Sequence, residues 1–202
     1  MNGKFFVLKK EKQDRMINAA LKVFAMQGYR HASTDEIVKE AGISKGLLFH
    51  YFESKAGLYA FVYDYSVRFM TMELGIFVSP GKKDMFDLFR QMEQARVNLM
   101  KSYPYIQQFL NRSMTENVSE ALLVTEEKRA ALEKCYADLY EQADFSLLPP
   151  GADGPKLWKM LELTVKGLMT EKFESDSFQP DMLYEEILGY LELLKKTVRN
   201  SD

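Results

Sequence analysis

Apolar residues recur three and four positions apart along nearly the whole chain, and no stretch shows the strict alternation of a half-buried strand. The spacing predicts a first helix over about 10–26, with Ile17, Ala20, Leu21, Phe24 and Ala25 on one face and Gly28 ending it. Tyr29 and His31 fall in the turn that follows. Two short helical patterns come next. Ser33 is placed to cap the first, and Glu36 three residues on completes a capping box. Ile37, Val38 and Ala41 give that helix its apolar face, and Gly42 can take the left-handed conformation that stops it. Ser44 can cap a second helix, Lys-Gly-Leu-Leu-Phe-His-Tyr-Phe over 45–52, and Ser54 offers a third cap. Two helices joined by a short turn containing glycine form the helix-turn-helix layout, whose second helix enters a DNA major groove.

Beyond Lys55 the pattern stays helical. Leu58, Phe61, Val62, Tyr65, Phe69 and Met72 mark one long amphipathic helix, broken at Gly75 and at Ser79-Pro80-Gly81. Another runs from Lys83 to about Tyr103, a shorter one follows Pro104, and a long one spans about 119–143. A loop rich in Pro and Gly occupies 147–155, and two last helices are predicted over 156–173 and 181–199. The coarse total is nine helices, with no internal repeat and no low-complexity stretch.

The segment Ala-Gly-Ile-Ser-Lys-Gly-Leu-Leu-Phe-His-Tyr-Phe-Glu-Ser-Lys, preceded by Ser-Thr-Asp-Glu-Ile-Val, resembles the signature of TetR-family transcriptional regulators. The likeness covers about residues 9–58 and fixes a dozen positions without a gap. It implies an all-α fold: an N-terminal three-helix DNA-binding domain joined by a long helix to a C-terminal helical domain that binds a ligand and dimerises. The boundaries expected are 1–54 for the DNA-binding domain, with a recognition helix at about 45–51, and 55–202 for the rest. Family members commonly carry a small polar residue where Leu47 stands; an apolar contact to a thymine methyl is the readout this side chain retains.

Charge agrees with that division. The 202-residue chain has a net charge of −2, but residues 1–55 carry ten Lys/Arg and six Asp/Glu, +4, against −6 for the remainder. A basic head on an acidic body suits a phosphate-facing surface. Lys4, Lys9 and Lys10 precede the first helix, as a disordered terminus or as a tail lying along DNA. Cys135 is the single cysteine, so no disulfide within the chain is possible; a buried small hydrophobe is its expected role. With two histidines and one cysteine, metal clusters and His/Cys nucleophile pairs have almost no material. No zinc-protease, phosphate-loop, dinucleotide or serine-hydrolase motif occurs, so neither an enzyme nor a cofactor is expected. No apolar run reaches 18 residues, and the apolar cluster at the start is too short for a signal core; a cytoplasmic protein without a membrane segment is the expectation.

The candidate DNA-binding residues are Ser33, Thr34, Ser44, Lys45, Gly46, Leu47, Phe49, His50, Tyr51 and Lys55. Gly46 is notable, because glycine costs about 1 kcal/mol inside a helix and so implies a close approach. The body is rich in Met and aromatic side chains, which suit an apolar pocket. Phe89, Met92, Met100, Tyr103, Phe109, Met114 and Trp158 are the candidate ligand-binding set, with Arg96, Arg112 and Glu116 placed to orient a polar end. The resemblance implies a homodimer through the last two helices, here Leu157, Leu161, Leu168, Leu183, Ile187, Leu191 and Leu194. The function implied is a repressor that binds a palindromic, double-stranded operator and releases it on binding a small apolar or amphipathic effector. The alternative is an all-α small-molecule-binding protein that has lost sequence-specific DNA binding.

Overall fold

The computed structural model describes residues 3–173 and 178–199. Among them are nine α-helices: α1 (Lys10–His31), α2 (Thr34–Ala41), α3 (Lys45–Phe52), α4 (Lys55–Phe77), α5 (Met85–Ser102), α6 (Ile106–Ser113), α7 (Ser119–Tyr140), α8 (Gly154–Phe173) and α9 (Pro180–Arg199). A 3-10 turn, Phe5–Val7, precedes α1. The all-α expectation therefore holds, with one small addition. β1 (Lys83–Asp84) and β2 (Ala143–Asp144) pair in parallel, Lys83 opposite Ala143. Two residues are too few to leave an alternating signature in the sequence.

The chain forms two compact units. One contains the residues through Phe69 together with Ser102–Glu133; the other contains Met70–Lys101 and the residues from Lys134 onward. α4 and α7 contribute to both. The start of α4 is part of the first unit's core. Tyr59 meets Phe24 of α1 edge-on at 4.9 Å between ring centres, and Phe61 lies 4.9 Å from Phe52 of α3.

In the first unit, the predicted face of α1 (Ile17, Ala20, Leu21, Phe24 and Ala25) is buried, as are Ile37 and Ala41 of α2 and Leu48 and Phe52 of α3. The first helical run ends at Gly28, as expected, and one more turn follows within α1. That residue leaves helical geometry at φ 70°, ψ 174°, and the helix resumes to His31. Positive φ admits glycine without strain, and a side chain would also crowd Arg112, whose Nε lies 3.2 Å from the position a Cβ would take. In the second unit, Asp84 caps α5 by accepting the backbone N–H groups of Phe86 and Asp87. Asp84 also pairs with Arg199 of α9 at 2.6 Å. The α8–α9 seam buries Leu161, Val165, Leu168, Leu183, Ile187 and Leu191. No helix among the described residues is long and apolar enough to cross a membrane.

Gly57 marks the tightest joint. A Cβ there would stand 2.1 Å from the carbonyl oxygen of Phe52, and backbone has little room to yield. Gly57→Ala is expected to cost about 1–3 kcal/mol through overpacking, read as a lowered urea midpoint at unchanged slope.

Candidate nucleic-acid interface

The short helices of the first unit are defined at their ends by side chains. Ser33 is the N-cap of α2 and accepts the N–H of Asp35 at 3.2 Å. Glu36, expected to complete a capping box, instead accepts a hydrogen bond from Gln27 of α1 at 2.6 Å, tying the two helices together. Gly42 takes φ 62° and ends α2. Ser44 caps α3 by accepting the N–H of Leu47, and Ser54 caps α4 by accepting that of Gly57. A helix of eight residues is marginal alone, so α3 depends on these caps and on Leu48 and Phe52 for its place.

With Leu48 and Phe52 turned inward, α3 presents its other faces outward. Ser44, Lys45, Gly46 and His50 are exposed; Leu47, Phe49 and Tyr51 are half-buried. Ser33 and Thr34, at the start of α2, are half-buried too. A Cβ on Gly46 would meet nothing within 4 Å, so the chain's own packing does not require glycine there. Lys45 pairs with Asp35 at 2.8 Å, and both side chains are largely exposed. A surface pair of this kind is worth about 0–1 kcal/mol, so little opposes a switch of the ammonium to a phosphate. The helix starts at Thr34 and Lys45 add backbone N–H groups suited to anions.

Lys55 stands apart from the other candidates. Its ammonium donates to the carbonyl of Tyr29 at 2.9 Å and to that of Ala32 at 3.3 Å, and sits 4.6 Å from the centre of the Tyr29 ring. It binds the frayed end of α1, where helix carbonyls lack intrahelical partners. Lys55, expected to support a phosphate contact, thus has a structural role at this corner. The corner it grips is held from the other side as well. Glu116 accepts the Tyr29 N–H at 3.0 Å, and Glu120 accepts the Tyr29 hydroxyl. Burial by itself would raise the Glu116 carboxyl, but hydrogen bonds from the N–H groups of Tyr29, Val118 and Asn117 outweigh it and hold the group below its ordinary value. Arg112 and Glu116, expected to orient a ligand, are thus engaged at the Gly28–Tyr29 corner.

The ligand candidates divide between the units. Phe89, Met92, Met100 and Trp158 are buried in the second. Trp158 packs edge-on against Phe89 and Tyr140 at 5.2 and 5.3 Å and donates to Glu162 at 3.1 Å. Beside them Arg96 pairs with the wholly buried Glu93 and covers the Tyr136 ring at 5.0 Å. Burial raises the Glu93 carboxyl even against Arg96. Tyr103 and Phe109 lie in the first unit, and Met114 there is exposed. The Tyr103 hydroxyl donates to Asp14, receives from Lys10 and shares a hydrogen bond with Tyr65, while burial pushes its pKa up to about 12. Phe109 packs on Tyr59 at 5.4 Å. Cys135, expected in a core, is half-buried, and burial raises its thiol. No group of three or more His, Cys, Asp or Glu side chains among the described residues could hold a metal ion.

The residues expected at a dimer interface lie mostly in the chain's own core. Leu161, Leu168, Leu183, Ile187 and Leu191 are buried within the single chain, and Leu157 and Leu194 are half-buried. An apolar stripe is satisfied first by the neighbouring helix of its own chain, and periodicity does not say which stripe meets which partner. The apolar side chains left outside on α8 and α9 are Met160, Leu163, Met182, Tyr190 and Leu193.

Two short helices, each capped by a serine and joined by the turn at Gly42, form a helix-turn-helix DNA-binding head. Comparison with known proteins places it. Residues 16–62 match the model of the bacterial regulatory proteins of the tetR family. Over 49 residues the chain is 51% identical to an uncharacterized HTH-type transcriptional regulator, YuxN, of Bacillus subtilis, and 43% identical to the HTH-type transcriptional activator FasR of Mycolicibacterium smegmatis. Each match takes in 24% of this chain, and only 17% and 22% of those proteins. A solved TetR family transcriptional regulator from Chloroflexus aurantiacus is similar across the whole chain: TM-score 0.60, 26% identity, 97% of this chain and 90% of that one. The head is thus a tetR-type helix-turn-helix domain, and the fold of the chain is similar to that of a solved TetR family regulator.

Lys55→Ala is expected to lower stability by about 1–3 kcal/mol, the range for hydrogen bonds to a charged group, while leaving the salt dependence of DNA binding unchanged. The Glu116 contribution, with its folded-state pKa depressed, is fully present above 4.5 and is lost as pH falls through the lower folded value. Glu116→Gln should therefore flatten the acid limb of a stability–pH curve and leave its neutral limb parallel to the parent's.

Proposed function

We propose that the chain is a ligand-responsive repressor that binds a palindromic operator as a homodimer and releases it when a small apolar or amphipathic molecule occupies the helical body. The observation that carries the DNA half of this reading is Gly46. It is exposed at the start of the second helix-turn-helix helix, and nothing among the described residues comes within 4 Å of a Cβ placed there. Close approach of a DNA backbone accounts for a residue that otherwise weakens its own helix. Ser33, Thr34, Ser44, Lys45 and Tyr51 position phosphates; Leu47, Phe49 and His50 lie nearest base edges. Residues 1–54 carry the reading surface, and residues 55–202 hold the effector and the partner subunit.

The dimer face is the outer side of α8 and α9 rather than their seam. Met160, Leu163 and Gly167 lie three and four residues apart on α8; Met182, Gly189 and Leu193 lie seven and four apart on α9. Both glycines are exposed with nothing near a Cβ position, which lets a partner helix come close. Two-fold pairing there would set two recognition helices about 34–36 Å apart, one turn of DNA. Phe89, Met92 and Trp158, with the Glu93–Arg96 pair beside them, suit an amphipathic effector. Such an effector releases DNA only by binding the DNA-free state more tightly. The mycobacterial relative is named an activator; a reporter driven from the chain's own upstream region decides the sign here.

Lys45→Ala is expected to weaken binding across all sequences and lower the salt slope by about 1, whereas Leu47 changes alter sequence preference. Gly46→Ala should leave stability unchanged or raised by up to about 1 kcal/mol while weakening DNA binding. Fluorescence anisotropy against a salt series reads both, and equal slopes for Lys45→Ala and its parent would refute the phosphate role. Leu163→Glu combined with Leu193→Glu should give a folded monomer by light scattering; a dimer that survives both changes lies elsewhere on the protein.

A further inference from the structure

The amino-terminal segment before α1 falls outside the 16–62 stretch that matches the family model, yet it is built into the reading head. Phe5 is fully buried. Its ring lies 5.3 Å from Phe52 and 5.8 Å from Tyr51, both at the end of α3, and 4.9 Å from Phe61 of α4. Tyr51 in turn meets His50 edge-on at 5.0 Å. A continuous line of ring contacts therefore runs from Phe5 to the outward-facing side chains of the recognition helix. The segment is also fastened from behind. Gln13 of α1, itself buried, donates its amide to the carbonyls of Leu8 at 2.7 Å and Phe6 at 3.2 Å.

We propose that this segment is a strap for the recognition helix and that Phe5 is a positioning residue for operator reading: wedged between α3 and α4, it fixes Tyr51, and through it His50, without itself touching DNA. Physical need for such a strap is plain. α3 has two turns and buries only Leu48 and Phe52 of its own, so the placement of its last turn depends on what packs against it. Phe5 adds an edge-on contact from outside α3 to those Tyr51 makes with its helix neighbours His50 and Phe52. A ring held by one more aromatic contact keeps one position, and a base-reading side chain needs that fixity more than it needs affinity. The segment's lysines become incidental to this role: what matters in Lys4-Phe5-Phe6 is the buried ring.

The inference rests on the DNA-binding reading, and one experiment separates the two. The full-length parent chain and its Phe5→Ala, Phe5→Leu and Gln13→Ala variants are each used to select from a randomised duplex library. Affinity for the parent's selected duplex is then measured over a salt series. The expected result for Phe5→Ala is a loss of about tenfold, the size of a lost aromatic contact at the reading helix. Base preference should relax at the positions nearest the end of α3, and the salt slope should stay unchanged because no phosphate contact is removed. Phe5→Leu, which keeps most of the buried volume, should recover part of both. Gln13→Ala, which frees the segment without opening the core, should relax the same base positions. A selected motif and affinity indistinguishable from the parent's in Phe5→Ala and Gln13→Ala would overturn the strap. So would a reduced salt slope with unchanged base preference, which would put the segment on the phosphates. Failure of the parent itself to enrich any duplex overturns the DNA reading and the strap with it, whereas the preceding outcomes leave the DNA reading standing.

Discussion

The head of this protein depends on how the end of α1 is tied. Gly28 breaks the helix, and the turn after it exposes carbonyls that no helix partner can satisfy. The Lys55 ammonium takes up two of them at 2.9 and 3.3 Å, from the first residue of α4. The Tyr29 N–H, freed by the same break, goes to Glu116 beyond α6. One corner thus joins α1, α4 and the α6–α7 turn, and α2 begins three residues after it ends. Opposite charges enter the corner, each meeting the backbone group it can satisfy. A displacement of the α6–α7 turn would either strip the Tyr29 N–H of its acceptor or carry it along.

That corner fixes where α2 starts, and the serine caps fix where α2, α3 and α4 start relative to their own turns. Little stability is left for the reading surface itself. α3 has Gly46 in its first turn, where glycine weakens a helix, and buries only Leu48 and Phe52 among its own described residues. Compare Gly57, only 11 residues on, where a Cβ would strike the Phe52 carbonyl. Two glycines close in sequence thus differ in kind: the backbone of Phe52 excludes a side chain at Gly57, and packing sets no such limit at Gly46.

Much of this head could be read from the sequence, because its signals are local. Ser33, Gly42, Ser44 and Ser54 act within three residues of themselves, and the apolar face of α1 repeats at a single period. What escaped has a long reach. Glu36 stands at the capping-box spacing but bonds to Gln27 on another helix. Lys55 looks like a phosphate contact because it is basic and begins a helix; only the fold brings the Tyr29 and Ala32 carbonyls to it. Phe5 lies in a segment whose charge suggested a tail, and its burial depends on a space between α3 and α4 that no periodicity encodes.

The body shows the same limit in another form. α8 and α9 each carry two apolar stripes, and the regular one, Leu161 to Leu191, is the stripe each helix uses on its own neighbour. The sparser stripe, interrupted by Gly167 and Gly189, is the one left in solvent. Regularity marks burial that is present in every folded copy of the chain, since a core tolerates no polar interruption. A surface that meets water before it meets a partner must remain soluble in the meantime, so it is thinner in leucine and punctuated by small or charged residues. For paired helices of this kind, the weaker stripe is therefore the better guide to the partner, and the stronger one to the core.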